Sequence, residues 1–245
     1  PVSGASPNNC EGNPFTVTIT VNPEPVGLAT PATQTVCSDI AIAPIVLTTT
    51  NGLTASTTYT WVRTDTTLIT NMAGIGSGNI SGTPNNVTGT VQTTVYTITP
   101  TTGIGCVGNT FTASVTVNPE PVGTPLTPAA ICSEVVTGVT LTVPLAATYN
   151  ITSIVDNGLT ASAGNPAIGN GLAADVLADD AWTNTTGSPV NVIYTIVPVS
   201  GASPNNCEGN PFTVTVTVNP EPVGVATPAT QTVCSDTPIT PIVLT

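Results

Sequence analysis

A long internal repeat constrains the fold of this 245-residue chain more than any other feature. Residues 1–48 and 198–245 align without a gap at an offset of 197 and differ only at positions 19, 28, 40, 41 and 43. Within that period the motif FTVTITVNPEPVG at Phe15–Gly27 returns, slightly altered, at Phe111–Gly123 and Phe212–Gly224. Self-similarity of this kind is typical of tandem repeats of one structural unit.

The spacing of the motif, 96 and then 101 residues, predicts two different domains that alternate as an A-B pair. We predict the C-terminal fragment of a preceding B-type repeat over 1–24, repeat A over 25–120, repeat B over 121–221, and the N-terminal fragment of a following A-type repeat over 222–245. The terminal fragments are too short to bury a core. We therefore expect neighbouring repeats to complete them, within a longer exported protein.

The repeated motif also predicts β-structure. In its first copy apolar residues alternate with Thr from Phe15 to Val21, which is typical of a strand with one buried and one wet face. Segments 45–48, 58–63, 94–99, 139–143 and 192–197 are also rich in β-branched and aromatic residues. Turn-forming residues between such segments fit about seven short strands per repeat. We predict an all-β, extended array of immunoglobulin-like β-sandwiches, whose strand ladders stop at the prolines of NPEPV.

Composition excludes several classes of function. The chain has no His, one basic residue, Arg63, and thirteen Asp and Glu, for a net charge of −12. Acid–base catalysis most often uses His, activated nucleophiles usually need an adjacent base, and nucleic-acid binding needs clustered Lys and Arg. We predict no enzyme, no catalytic residue, no cofactor and no nucleic-acid partner. No apolar run is long enough to cross a bilayer, so direct membrane insertion is not expected either.

Each repeat carries one early and one late cysteine, which favours a disulfide framework outside the cytoplasm. The six cysteines lie at positions 10, 37, 106, 132, 207 and 234. Pairing within domains, which we favour, would join Cys37 to Cys106 and Cys132 to Cys207. Pairing across the joints would instead join Cys10 to Cys37 and Cys106 to Cys132, and the sequence leaves this alternative open. With no Lys in the chain, isopeptide bonds are excluded and disulfides must supply any covalent reinforcement.

The one concentration of carboxylates is a weak calcium candidate. Asp175, Asp179 and Asp180 provide hard oxygen ligands of the kind that Ca²⁺ prefers. An ordinary solvated loop explains the same residues, and we predict no resident metal. Adjacent carboxylates in a loop seldom face each other across a sugar, so glycoside hydrolysis is not expected.

The aromatic residues are assigned mainly to the core. Trp61, in the TYTW strand, is expected to pack inside its domain. Trp182 lies in a loop-like segment, where an exposed recognition role is an alternative to core packing. The hydroxyls of Tyr96 and Tyr194, in matching YTI motifs, are expected to bond to nearby backbone. Four N-x-S/T sequons are weak signals in a Thr-rich chain: Asn79, Asn86, Asn150 and Asn184.

The motifs TVCSD, TYTW, VYTITP and GCVGNTFTASVTVNPEP resemble the PKD-like and immunoglobulin-like repeats of giant Bacteroidota cell-surface proteins. Those most similar in character are gliding-motility adhesins exported by the type IX secretion system. The resemblance implies PKD-like β-sandwiches, an extracellular position at the outer membrane, and a role in surface attachment and gliding motility. Repeat B departs from the pattern because it has TYNI, not TYTW, at Thr148–Ile151.

The expected partners follow from this resemblance. They are neighbouring repeats of the same chain, a surface polysaccharide or substratum, and, through other regions, the outer-membrane motility and secretion machinery. Two other functions stay open: non-catalytic spacer repeats of a large secreted carbohydrate-active enzyme, and a self-assembling extracellular filament.

Overall fold

The computed structural model describes residue 4 and residues 11–201, 206–222 and 224–244. In that part of the chain the regular structure is β-strand, apart from a single 3₁₀ turn at Thr54–Ser56. The strands form two groups that follow one another along the chain, within 27–118 and 131–219. The predicted all-β fold with tandem β-sandwiches is confirmed. The domain boundaries given above remain predictions.

The first domain has nine strands: β1 Gly27–Thr30, β2 Thr33–Cys37, β3 Val46–Thr49, β4 Thr57–Arg63, β5 Ile69–Thr70, β6 Ile75–Ser77, β7 Asn85–Asn86, β8 Gln92–Thr102 and β9 Phe111–Asn118. Its main sheet has the order β2-β9-β8-β4-β6. All neighbours in it are antiparallel except β2 and β9, which run parallel. The pairs β1-β3 and β5-β7 supply further strands, and an isolated bridge joins Ile45 to Ile80.

The second domain repeats this plan with seven strands: β10 Ile131–Cys132, β11 Ala146–Val155, β12 Thr160–Ala163, β13 Gly169–Leu172, β14 Ala181–Thr183, β15 Val190–Ser200 and β16 Phe212–Asn219. Its main sheet has the order β10-β16-β15-β11-β13, and β12 pairs with β14. The strands β10 and β16 are again parallel. After it come the short strands β17 Ala226–Thr227 and β18 Val243–Leu244, which pair antiparallel.

The alternating motif builds the core as the sequence predicts. Along β16, Phe212, Val214, Val216 and Val218 are buried, whereas the Thr residues between them are half-buried. The core of the second domain also includes Tyr194, Ile196 and Leu177. In the first domain Val115 and Val117 of β9 pack with Tyr96, Ile98 and Ile45.

Two segments predicted as strands are not strands. Residues 139–143 alternate in burial, but their backbone lies along an irregular turn: Leu141 N–H donates to the Ala174 carbonyl. Residues 12–26, which include the alternating residues from Phe15 to Val21 of the first motif copy, form no strand. There Phe15 is 74% and Val21 87% exposed, because this copy lacks the neighbouring strands that cover β9 and β16.

Candidate functional site at the joint between the domains

The parallel pairing of β2 with β9 places Cys37 where the first domain ends. In this register Cys37 lies opposite Asn118, the last residue of β9, and the linker Pro119-Glu120-Pro121 follows. The prolines lack backbone N–H groups and stop the ladder there. Cys37 is therefore held beside the exit of the chain toward the second domain.

The second domain brings Cys207 to the same place. Cys207 precedes β16, at the end of the sheet that receives the linker, and it bonds to Cys37. The bond has a sulfur–sulfur distance of 2.04 Å and a Cα–Cα distance of 5.5 Å, and it joins residues 170 positions apart. Both cysteines are buried. The joint is thus closed by the peptide linker and by a disulfide.

This bond corrects the predicted pairing. Cys37 does not pair with Cys106, nor Cys132 with Cys207, because the two cysteines of a domain lie at opposite ends of its last strand. Eight residues of β9 span roughly 25 Å at about 3.3 Å per residue, far beyond the ~7 Å limit for the Cα atoms of a disulfide.

The pairing across the joints is corrected too. The structure leaves Cys106, Cys132 and Cys234 as free thiols. Cys106 is half-buried and Cys132 exposed, and they lie at the outer ends of the two domains. Cys10, the remaining member of that alternative, lies outside the described residues, but Cys37 already has Cys207 as its partner.

Glycines of the repeated motifs allow the linker to pack closely. A Cβ on Gly209 would lie 1.8 Å from the carbonyl oxygen of Pro121, and one on Gly108 would lie 2.0 Å from that of Pro25. Both glycines stand two residues after a late cysteine. Only a residue without a Cβ permits this approach. The same linker contact therefore recurs at the start of each domain.

Residues from both domains line a cleft of about 460 Å³ at the joint, among them Asp39, Glu120 and Leu145. The Asn85 amide donates to both carboxylate oxygens of Asp39, at 2.8 and 2.9 Å. Burial, and then the nearby negative charge of Asp39, raises the pKa of Glu120. The cleft is therefore acidic, and an anionic ligand would be repelled from it.

A buried asparagine fixes a loop at the C-terminal end of each domain. Asn86 donates to the carbonyls of Thr90 and Val117, accepts from Thr88, and its backbone N–H donates to Ser38.

Asn184 makes the same set of bonds in the second domain, to Ser188, Val218, Thr186 and Ser133. These two sequon asparagines are thus structural, since their amides are buried and bonded. Each serine directly follows an early cysteine, so the motif ties the loop to the strand that carries the cysteine.

The carboxylates suggested as calcium ligands do not converge. Asp175 and Asp179 are exposed, whereas Asp180 is buried and its Oδ2 accepts from the Tyr194 hydroxyl at 2.8 Å. Among the residues that the structure describes, no group of three or more His, Cys, Asp or Glu side chains is placed to hold a metal ion.

Trp182 belongs to the same buried hydrogen-bonded group as Tyr194 and Asp180. It is 3% exposed in β14, and its indole N–H donates to the Tyr194 hydroxyl at 3.0 Å, so the exposed role considered for it is wrong. The Tyr194 hydroxyl bonds to the side chains of Trp182 and Asp180, so the predicted bond to nearby backbone is wrong. Burial, opposed in part by the Tyr194 bond, raises the pKa of Asp180 to about 6, and burial also raises the pKa of Tyr194.

The first domain has a different interior. Trp61 is half-buried against the core, packs edge-on to Tyr96 at 5.4 Å, and donates to the Gly78 carbonyl. Arg63, which the sequence did not mark as a core residue, is 4% exposed. Its guanidinium donates to three carbonyls: that of Ile69 in β5, and those of Met72 and Ala73 just after β5.

A comparison with protein families finds two copies of one domain type in this chain. A family model described as "PKD-like domain" matches residues 34–121 and 129–222, together about three quarters of the chain. No curated protein matches significantly. In the described part of the chain no helix is long and apolar enough to span a membrane.

Solved structures that match most of this chain include cadherin repeats. Human protocadherin-24 EC1-2 (form II) matches with a TM-score of 0.31 and 12% identity over 82% of this chain and 100% of that one. Drosophila N-cadherin EC1-4 matches with 0.31 and 12% over 81% and 50%. Mouse cadherin-23 EC22-24 matches with 0.28 and 12% over 82% and 68%.

Proposed function

Because this chain belongs to the PKD-like domain family, we propose that it is part of the repetitive shaft of a large bacterial cell-surface adhesin. PKD-like domains and a disulfide indicate an extracellular protein. The matched domains are non-catalytic. The proposal adds attachment to the cell surface, a place in surface adhesion and, following the Bacteroidota resemblance, export by the type IX system and gliding motility.

The joint is the observation that carries this proposal. A shaft must transmit force from its tip to its anchor without folding back on itself. Here Asn118 at the end of β9 and the linker residues Pro119 and Pro121 are buried, and the Cys37–Cys207 bond crosses the same joint. Two covalent connections between neighbouring domains restrict bending far more than a linker alone.

The partners proposed for the shaft follow from its surface. Neighbouring repeats would cover its ends, and a neutral polysaccharide or an abiotic substratum would be contacted weakly at many repeats, gaining strength through multivalency. With a net charge of −12, the chain is not suited to polyanionic surfaces. The outer-membrane motility and secretion machinery would act through other regions of the protein.

Replacing the repeats in the cell tests whether they act as a shaft or as a binding module. Cells whose gene lacks the A-B pair should lose surface attachment and gliding. Replacing the pair with unrelated rigid β-domains of equal length should restore attachment if the repeats act as a shaft. Failure of this replacement, with surface display intact, would mean that the repeats themselves bind. Unchanged attachment after the deletion would refute an adhesive role and favour spacers in an enzyme.

The filament alternative has its own test. The exposed apolar side chains from Phe15 to Val21 could pair with another subunit. Sedimentation velocity of the purified chain over a wide concentration range should show a monomer if the shaft proposal holds. Concentration-dependent polymers would favour the self-assembling filament.

A further inference from the structure

The disulfide at the joint occupies positions that the sequence repeats at both outer ends of this domain pair. Cys37 ends β2 opposite the last residue of β9, and Cys132 ends β10 opposite Asn219, the last residue of β16. Cys207 precedes Phe212 by five residues, and Cys106 precedes Phe111 by the same number. Cys132 is thus the counterpart of Cys37, and Cys106 is the counterpart of Cys207.

The surroundings of these thiols also match. The Ser133 hydroxyl oxygen accepts a hydrogen bond from the Asn184 backbone N–H, as the Ser38 hydroxyl oxygen accepts one from that of Asn86. Gly108 approaches the carbonyl oxygen of Pro25 as Gly209 approaches that of Pro121. Cys132 therefore has the surroundings that Cys37 has in the formed bond, and Cys106 has those of Cys207.

The end of the first domain and the end of the second differ in how deeply their residues are buried. Where the second domain follows the first, Asn118 and Pro119 are buried and Cys37 is 8% exposed. After the second domain, Asn219 and Pro220 are only half-buried and Cys132 is exposed. The difference is what the absence of a complete following domain would produce.

The residues after β16 begin such a domain. Ala226 pairs with Leu244 and Thr227 with Val243, in the register in which Ala29 pairs with Leu47 and Thr30 with Val46. The Gln231 side chain bonds to the backbone of Thr240 as Gln34 bonds to Ala43. An A-type repeat therefore starts here with the same local contacts.

We propose that Cys132 and Cys106 are inter-repeat disulfide sites: Cys132 bonds to the counterpart of Cys106 in the A-type repeat that follows it, and Cys106 to the counterpart of Cys132 in the B-type repeat that precedes it. Every joint of the array then carries one disulfide. Two thiols lose two protons and two electrons to a protein or small-molecule disulfide such as glutathione disulfide, which is reduced to two thiols. The proposal does not depend on what the array binds.

A lengthened chain tests this proposal. Because residues 198–245 repeat 1–48, adding a copy of residues 49–121 after Thr245 completes the second A-type domain. Both proteins are refolded with a glutathione redox buffer, alkylated without reduction, digested with pepsin and mapped by mass spectrometry. In the chain of 245 residues Cys132 should be alkylated. In the lengthened chain this alkylation should be lost, and a peptide linking Cys132 to the added copy of Cys106 should appear.

The Cys37–Cys207 link in the same molecule reports that folding and oxidation succeeded. The variant Cys132→Ser should leave the added cysteine open to alkylation, whereas the matched variant Cys106→Ser at the original site should not change the new link. A lengthened chain that forms the Cys37–Cys207 link but keeps Cys132 alkylated would overturn the proposal. Links found only between separate molecules on a non-reducing gel would also overturn it.

Discussion

Replacing Asn184 with Ala should strongly destabilise the second domain. The Asn184 amide donates to the carbonyls of Ser188 and Val218, at 3.0 and 2.7 Å. Its Oδ1 accepts from the backbone N–H and the hydroxyl of Thr186, at 2.9 and 2.7 Å. The side chain is 3% exposed, so water cannot easily replace these bonds.

The size of the effect follows from these four bonds. A neutral hydrogen bond contributes about 1 kcal/mol net, and a buried group left without its partner costs a further 1–3 kcal/mol or so. Since Thr186 can turn toward solvent, we expect Asn184→Ala to lower the free energy of unfolding by about 3 kcal/mol. For a domain of this size that corresponds to a fall in Tm of roughly 10–20 °C.

Differential scanning calorimetry of the purified chain measures this change. The transition of the second domain should move to lower temperature, while that of the first domain stays nearly in place. Asn191→Ala is the matched control, because Asn191 is exposed and its side chain accepts a single bond from Thr217. If Asn184→Ala shifts the transition no more than Asn191→Ala does, the structural role assigned to the sequon is wrong.

Three further predictions concern single residues. Because burial raises the pKa of Asp180 to about 6 from 3.8, the folded state binds a proton more tightly than the unfolded state does, and stability should fall by about 2 kcal/mol from pH 4 to pH 6. Urea titrations should show this loss, and Asp180→Asn should remove it; an unchanged pH dependence would contradict the assignment. Gly209→Ala should cost about 2 kcal/mol through its clash with Pro121, whereas Gly187→Ala, in open space, should be nearly neutral in thermal unfolding. Arg63→Lys should lower the free energy of unfolding of the first domain by about 2 kcal/mol, because an ammonium group cannot reach three separated carbonyls at once. Urea titrations measure this change, and wild-type stability in the variant would show that the three guanidinium bonds are dispensable.

The strand pattern was predictable because it depends on local alternation. The motif at Phe212–Asn219 has one buried and one wet face, and the structure has that burial pattern. The same motif at Phe15 forms no strand, because a strand also needs neighbours to pair with. Residues 139–143 have strand-like composition, but their backbone partners lie in an irregular turn that no local pattern reveals.

The disulfide could not be assigned from spacing alone. Its pairing depends on the direction of β2 relative to β9, which sets the two cysteines of a domain at opposite ends. One signal was present in the sequence: each early cysteine follows a strand-like segment, and each late cysteine precedes one. Combined with a parallel pairing of first and last strands, that order excludes a bond within the domain.

The buried polar residues were missed for a related reason. Trp182 and Asp180 meet Tyr194, which lies on another strand, and Arg63 bonds to carbonyls within residues 69–73. The structural asparagines did leave a trace. Asn86 and Asn184 both begin an Asn-x-Thr motif ten residues before the tyrosine of the YTI motif, and chance sequons would not share that spacing.

Disulfide mapping of the oxidised chain tests the central claim most directly, namely that two PKD-like β-sandwiches are joined covalently at their ends. After alkylation without reduction and digestion with pepsin, mass spectrometry should find the Cys37 peptide linked to the Cys207 peptide. A link from Cys37 to Cys106, or from Cys132 to Cys207, would place the bonds inside the domains and contradict the account.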